Sequence, residues 1–540
     1  MKGIGVSTGR AAGPVALMGQ RPHLPPDRPV VADTAAEADA ALAVLAATAE
    51  ELERRAAAAT LPGSAEVLEA TAMIARDPSL EDAIRAATDS GEPAAWAVAT
   101  AFDEFKGLLA DLGGYMAERA ADLDDVRDRA LARLLGQPMP GVPDRDTPYI
   151  LVADDLAPAD TVTLVPGRVL GLVTAKGGPT SHTAILARGL GLPAVVACPD
   201  ALSLGEGELI GVDGGSGEVR TGLSDSEVEE TNRVERTRRA ALSASRGPGH
   251  TADGHPVALL LNIGDAAGAA SVSAVDAEGV GLFRTEFLYL DRQDAPSVEE
   301  QAALYATVFE AMGGRKIVVR TLDAGADKPL PFLHQDGEPN PALGVRGLRI
   351  ARRAPLVLDD QLAAVAQAMQ ATNATVWVMA PMVATADEAR SFAERAHDAG
   401  LPVAGVMVEI PAAAIRAADL LVHADFLSIG TNDLSQYTMA ADRMAGDLAD
   451  LLDPWQPALL ELIRTTAEAG LAAGKSVGVC GEAAASPTLA PVLVGLGVTS
   501  LSMSSSAIAE VRAALAAVSL SECRELAARA LAGERAAVNA

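Results

Sequence analysis

The sequence predicts a multidomain α/β protein: a small α/β module that carries an inserted helical bundle, followed by a C-terminal (β/α)8 barrel. Three observations support this. At 540 residues the chain exceeds what one hydrophobic core organises, so about two to four domains are expected. Hydrophobic residues make up 49% but aromatics only 3%, so alanine and aliphatic side chains fill the interior, which suits helices and α/β layers. From residue 256 onward, eight short apolar runs recur with helix-like segments between most of them. That repeat fits an eight-stranded α/β barrel.

Residues 1–21 hold Gly/Ala-rich turns and one apolar run, Pro14-Val15-Ala16-Leu17-Met18, that reads as a strand. Residues 22–33 are proline-rich and read as a linker. Between 34 and 135 the period becomes helical. Ala38, Leu42, Leu45, Ala49, Leu52 and Ala56 are spaced alternately four and three apart, as the seam of an antiparallel helix pair requires. Helical stretches are expected near 64–76, 93–110 and 114–135 as well, separated by Pro62-Gly63, Asp77-Pro78 and Gly113-Gly114. Short strands follow at 149–152, 169–173, 194–196 and 209–212. The charged stretch 224–246 has little apolar face and reads as a solvated connecting helix. Barrel strands are expected near 257–262, 280–283, 316–320, 376–380, 405–409, 426–429, 476–480 and 500–503. The expected domains are an α/β module (1–21 with 143–222), the inserted bundle (22–142), a linker helix (223–250) and the barrel (251–540).

The formal net charge of −29 argues against a nucleic-acid partner, since phosphate repulsion would go unopposed globally. Three scattered cysteines form neither a disulfide framework nor a zinc pattern. With no signal-like start and no long apolar stretch, a soluble cytoplasmic protein without membrane insertion is expected.

Two places carry chemistry. In Gly177-Gly178-Pro179-Thr180-Ser181-His182-Thr183, a turn permits close backbone approach to a phosphate, and Thr180 and Ser181 offer N-cap oxygens to a short helix ending near Gly189 and Gly191. His182 therefore stands at a helix N-terminus, where the dipole favours anions and keeps the imidazole neutral and nucleophilic. In the barrel, polar residues fall at the strand ends. Arg284, Arg320 and Arg443 offer planar forks for phosphate or carboxylate, with Arg346 and Arg349 nearby in sequence. Glu409 and Asp433 are hard oxygen ligands suited to Mg²⁺. Asn432 adjoins Asp433, Asp323 and Asp327-Lys328 are placed to orient the arginines, and Cys480 could give a proton to a carbanion-like carbon.

Gly-Gly-x-Thr-Ser-His-Thr at 177–183, Arg-Thr-Glu-Phe-Leu at 284–288 and Gly-Thr-Asn-Asp-Leu-x-Gln-Tyr at 430–437 together resemble the phosphoenolpyruvate-protein phosphotransferases, enzyme I of the bacterial sugar phosphotransferase system. Asn340-Pro341-x-Leu343-Gly344-x-Arg346, Val408-Glu409-x-Pro411 and Cys480-Gly481-Glu482 extend the likeness nearly end to end. The resemblance implies that the α/β module swivels and that His182 carries the phosphoryl group on Nε2. It implies that Arg284, Arg320, Asn432, Asp433 and Arg443 hold phosphoenolpyruvate, that Glu409 and Asp433 bind Mg²⁺, and that Cys480 protonates the enolate to pyruvate. It further implies that the bundle docks the phosphocarrier protein HPr and that the barrel forms a homodimer. Three positions depart from the family: Pro179 where arginine is frequent, Ala326 in place of a glycine, and Ala507-Ile508-Ala509 in place of Ser-x-Pro. Pyruvate phosphate dikinase or phosphoenolpyruvate synthase would need a further nucleotide-grasp domain, and a non-catalytic carrier-binding scaffold would not need the strand-end residues.

Overall fold

The structure is a computed structural model that describes residues 1–535, except 20, 59–63, 113–119, 157–163, 165–166, 179–180, 265–267, 270–272, 290–291, 293, 326–329, 331, 334–337, 444, 446–447 and 449. The chain divides into two compact units, Met1–Thr237 and Arg238–Ala540.

The first unit is built on a seven-stranded sheet: β1 (Ile4–Ser7), β2 (Arg10–Leu17), β3 (Tyr149–Ala153), β4 (Val169–Thr174), β5 (Ala194–Val196), β6 (Leu209–Asp213) and β7 (Glu218–Thr221). Their spatial order is β1-β5-β4-β3-β2-β6-β7. β2 pairs in parallel with β3 through Val15 and Ile150, so the whole helical segment is inserted between two neighbouring strands. The parallel centre, Ile150, Leu151, Val152 and Val173, is buried on both faces, which explains its unbroken apolar sequence.

The insertion contains α1 (Thr34–Ala58), α2 (Ser64–Ile74), α3 (Pro78–Asp89), α4 (Ala94–Leu112) and α5 (Ala120–Leu135). The seam of α1 is buried as its spacing implies: Leu45, Ala49 and Leu52 are at most 2% exposed. Each leucine so buried is worth about 1.5–3 kcal/mol. One expectation is corrected. Asp77-Pro78 does not merely separate two helices; it starts α3, with the Asp77 carboxylate accepting from Ser79 N at 2.8 Å and Pro78 at the first helical position. An aspartate N-cap followed by proline is a start signal as well as a break. α3 buries Leu80 and Ile84 in the bundle core.

The helix α6 (His182–Leu190) follows β4, and α7 (Asp225–Ala244) follows β7. In the second unit eight parallel strands close into a barrel: β8 (Ala258–Ile263), β9 (Gly279–Phe283), β10 (Lys316–Arg320), β11 (Val376–Ala380), β12 (Ala404–Val408), β13 (Leu427–Ile429), β14 (Val477–Val479) and β15 (Ser500–Met503). β15 pairs with β8 and removes the free edges. All eight lie within a residue or two of the apolar runs in the sequence. One set of side chains along each strand, such as Leu259, Leu261 and Val319, packs outward against the helices, while the other points into the lumen.

Candidate functional site

The turn before α6 is held by backbone and hydroxyl contacts. Gly177 sits at φ +95°, a conformation that favours glycine. Ser181 N donates to Gly178 O at 3.0 Å, and Ser181 Oγ caps the helix by accepting from Ala184 N at 3.3 Å. His182 is the first residue of α6, so its backbone lies where the unpaired N–H groups of the first turn point outward. Thr183 is fully buried and its hydroxyl donates 3.2 Å to Asp155, which fixes the helix start against the loop after β3. The helix runs through Gly189 and ends at Gly191, φ +63°. Pro179 and Thr180 lie outside the described residues.

The mouth of the barrel is a network of buried charge. At its centre is Arg346, 1% exposed, whose Nε and Nη2 donate to the two oxygens of Asp323 at 3.0 and 3.1 Å. Its Nη1 and Nη2 donate to both oxygens of Asp433 at 3.1 and 3.2 Å. Arg320, at the end of β10, pairs with Glu286 and Asp323, each at 3.0 Å. Glu286 in turn accepts from Asp323 N at 3.0 Å. Burial works against both arginine charges, but Asp323 and the carboxylates around it overcome it and hold both pKa values well above the ordinary range. Thr285 and Gln361 brace the loops beneath: Thr285 Oγ1 donates to Arg320 O, and Gln361 bonds Thr285 and Leu322 N.

Glu409 follows β12 and is 1% exposed. Burial, then the charges of Asp433 and Asp323, push its pKa up to about 8, against the pull of Arg320 and of the Met382 N–H that it accepts at 2.9 Å. Met382 makes that bond from φ +58°, a conformation unfavourable for a non-glycine residue and of a kind that clusters at functional sites. A Cβ at Gly430 would stand 2.8 Å from Glu409 Cγ, so the small residue lets β13 end against the carboxylate. Asn432 and Asp433 lie in the first turn of the helix Thr431–Met439, and Asn432 Oδ1 accepts from Glu482 N at 3.1 Å. Cys480 directly follows β14; its thiol donates to Ile429 O at 3.5 Å, and burial raises its pKa to about 11. Arg443 stands 3.7 Å from Asp433. Arg284 is exposed at the rim, yet partial dehydration and the nearby Arg320 charge lower its pKa.

Glu409, Asp433, Arg320, Arg346, Cys480 and Asn432 therefore gather at the ends of strands β10 to β14. Arg346 was expected only as a neighbour in sequence, and the structure makes it the hub. Glu286 and Met382 carried no separate expectation. The signal for Glu286 was available in its place two residues after Arg284; a backbone donor in a left-handed conformation leaves none. Asp327 and Lys328 lie outside the described residues. Among those described, no group of three or more His, Cys, Asp or Glu side chains converges as a metal cage. Glu409 with Asp433 nonetheless fits a hard cation, because two crowded carboxylates plus water and substrate oxygens suit Mg²⁺. Arg320 Nε is buried without a partner among the described residues, so the mouth keeps a donor in hand for a ligand.

Three family models match the chain: the N-terminal domain of the phosphoenolpyruvate-utilising enzymes over residues 2–119, their mobile domain over 146–217, and their phosphoenolpyruvate-binding domain over 239–520. A phosphoenolpyruvate-protein phosphotransferase of Streptomyces coelicolor is 52% identical over 99% of this chain and 97% of its own length. One from Haloferax volcanii is 41% identical over 84% of this chain and 82% of its own. The NMR solution structure of Enzyme I (nEIt) aligns with 44% of this chain and 99% of its own length at 30% identity, with a TM-score of 0.39. Among the described residues no helix is long and apolar enough to cross a membrane.

Proposed function

This chain belongs to the family of phosphoenolpyruvate-protein phosphotransferases, and on that premise we propose that it transfers the phosphoryl group of phosphoenolpyruvate to His182 and then to the carrier protein HPr, releasing pyruvate. This is the first step of a sugar phosphotransferase system in the cytoplasm. The observation that carries the reading is the buried charge network of the barrel mouth, in a chain that also starts a helix at His182.

Phosphoryl transfer through a loose transition state needs positioning and charge neutralisation more than covalent work. Arg284, Arg320 and Arg443, with Asn432 and Asp433, bind the substrate's carboxylate and phosphate. Arg346 fixes Asp323 and Asp433, and through Asp323 it fixes the fork of Arg320. Glu409 and Asp433 would hold Mg²⁺, which neutralises phosphoryl oxygens when bound. His182 attacks phosphorus in line; the P–O bond to the enol oxygen breaks as the N–P bond forms. The Cys480 thiol, held protonated by burial, gives its proton to the departing enolate carbon, and solvent restores it. The bundle α1–α5 docks HPr. The barrel leaves Leu356, Ile415, Val422 and Leu471 exposed, apolar surface that a second copy of the chain would cover.

Incubation with labelled phosphoenolpyruvate, Mg²⁺ and HPr tests the reading. An acid-labile adduct of about 80 Da is expected on the protein and then on HPr, with stoichiometric pyruvate. His182→Ala should abolish both adducts without changing the unfolding curve. Labelling that survives this substitution would assign the phosphoryl group elsewhere.

A further inference from the structure

The barrel fills its mouth with charge but does not fill its floor with bulk. Layers of branched side chains normally occupy such a lumen. Here one side of the lower layer is small, with Ala258, Gly281, Gly478, Ser500 and Ser502, and it leaves a cavity of about 200 Å³ at the N-terminal ends of the strands. Gly281 has no room to become larger, because its Cβ would stand 2.5 Å from Ser502 Oγ.

One wall is broad and apolar. The rings of Trp377 and Phe426 pack 4.9 Å apart, and the Phe426 ring fills the space that a Cβ at Gly405 would take. Lys316, the first residue of β10, also lines the cavity, with Nζ 4.3 Å from the centre of the Trp377 ring. No carboxylate lies within ion-pair distance of that ammonium among the described residues. Burial lowers its pKa, with Glu278 acting more weakly in the other direction. A half-dehydrated cation beside an aromatic wall, in a cavity edged by serine hydroxyls, matches an anion with a flat apolar body. The space is sufficient, since a cavity of roughly 150 Å³ accepts benzene.

We propose that this lower cavity is a binding site for a small aromatic monocarboxylate, its ring against Trp377 and Phe426 and its carboxylate on Lys316. The site lies at the opposite end of the strands from Arg320 and Glu409. Its ceiling is the layer formed by Val318, Met379, Met407 and Cys480. Ser428 lines the cavity next to Ile429, whose carbonyl accepts from the Cys480 thiol at 3.5 Å. Ser502, also in the lining, contacts Asn262 Oδ1 at 2.6 Å, and Asn262 Nδ2 donates to Cys480 O at 3.1 Å. An occupant therefore touches a short hydrogen-bonded relay that ends on the Cys480 backbone. Any effect on turnover rests on the role proposed for Cys480; the binding does not.

Calorimetric titration of the full chain with sodium benzoate tests the site. Saturable one-to-one binding is expected, weakened at least tenfold by Lys316→Met. Ala258→Leu keeps the cation but fills the space, and it should weaken binding similarly. Because benzoate could also settle on the mouth, Arg284→Ala is the control and should leave the affinity unchanged. Thermal melts must first show each variant folded. Binding that follows Arg284 instead of Lys316, binding indifferent to both cavity variants, or no heat up to about 10 mM benzoate would overturn the proposal. Benzoate binding in a protein that fails to label with phosphoenolpyruvate would sink the proposed function and leave this site standing.

Discussion

The turn at His182 and the mouth of the barrel are the two places where this chain concentrates chemistry, and they are built by opposite means. The turn is made of backbone, hydroxyls and one exposed carboxylate: Gly177, Ser181, Thr183 and Asp155. The mouth is made of charges withdrawn from water, with Asp323, Arg346 and Glu409 all at most 1% exposed. The carboxylate of the turn, on Asp155, is exposed and finds water if it loses its partner. A group in the mouth does not, so each charge there depends on all the others. The family's mobile domain needs a turn that works whatever surrounds it, whereas a pocket for a multiply charged anion gains from pre-aligned charges in a dry setting.

The sharpest way to break the comparison is at the hub. Arg346→Ala removes four hydrogen bonds and leaves two buried carboxylates facing each other, with only Arg320 on Asp323 and the more distant Arg443 near Asp433 to offset them. It is expected to destabilise the barrel unit by about 3–5 kcal/mol, read as a fall in its urea midpoint. A loss below about 1 kcal/mol would mean that water enters the network freely, and the contrast with the turn would collapse.

The thiol beneath the mouth gives a second, pH-resolved test. Burial raises the Cys480 pKa from 9.0 to about 11, so the fold favours the neutral thiol. The resulting stability is complete below pH 9 and is lost as pH rises through 11. Cys480→Ser does not titrate in that window. The stability of the native chain relative to this variant should therefore be constant to about pH 8.5 and fall by about 3 kcal/mol at pH 11 and above. A flat difference would place the thiol in contact with water. The same substitution should slow pyruvate formation roughly 100-fold while leaving substrate binding intact, because a serine hydroxyl is a far weaker acid.

These contrasts also show what the sequence could and could not disclose. The barrel was legible because each strand is a short apolar run and its polar residue sits at the end, as with Arg320 after Ile317-Val318-Val319. The inserted bundle was legible from the alternating spacing of α1, yet α3 was missed because Asp77-Pro78 reads equally as a break and as a helix start. Glu409, Asp433 and Cys480 could be singled out as oxygen ligands and a thiol at strand ends. Their partnership with Arg346 could not, since Arg346 lies 23 residues from Asp323 and 87 from Asp433 in sequence. Only the barrel brings the long connection after β10 and the loop after β13 together. The Met382 N–H that supports Glu409 was hidden for another reason: an unusual backbone angle on an ordinary residue leaves no trace in composition.

The smallest test sharpens the other side of the comparison. α3 begins on the Asp77 carboxylate, and Asp77→Ala should cost the bundle about 1 kcal/mol, read as a lower midpoint in thermal unfolding. At the His182 turn, Thr183→Val keeps the shape of a fully buried side chain and deletes one 3.2 Å hydrogen bond to Asp155. Asp155 is exposed, so its freed oxygen is rehydrated and no buried acceptor is stranded. The expected cost is about 0.5–1 kcal/mol, and labelling of His182 should persist at a reduced rate because the helix start is less firmly held. A loss approaching that of Arg346→Ala would show that the turn, too, depends on buried electrostatics, and the division between the two regions would then have to be abandoned.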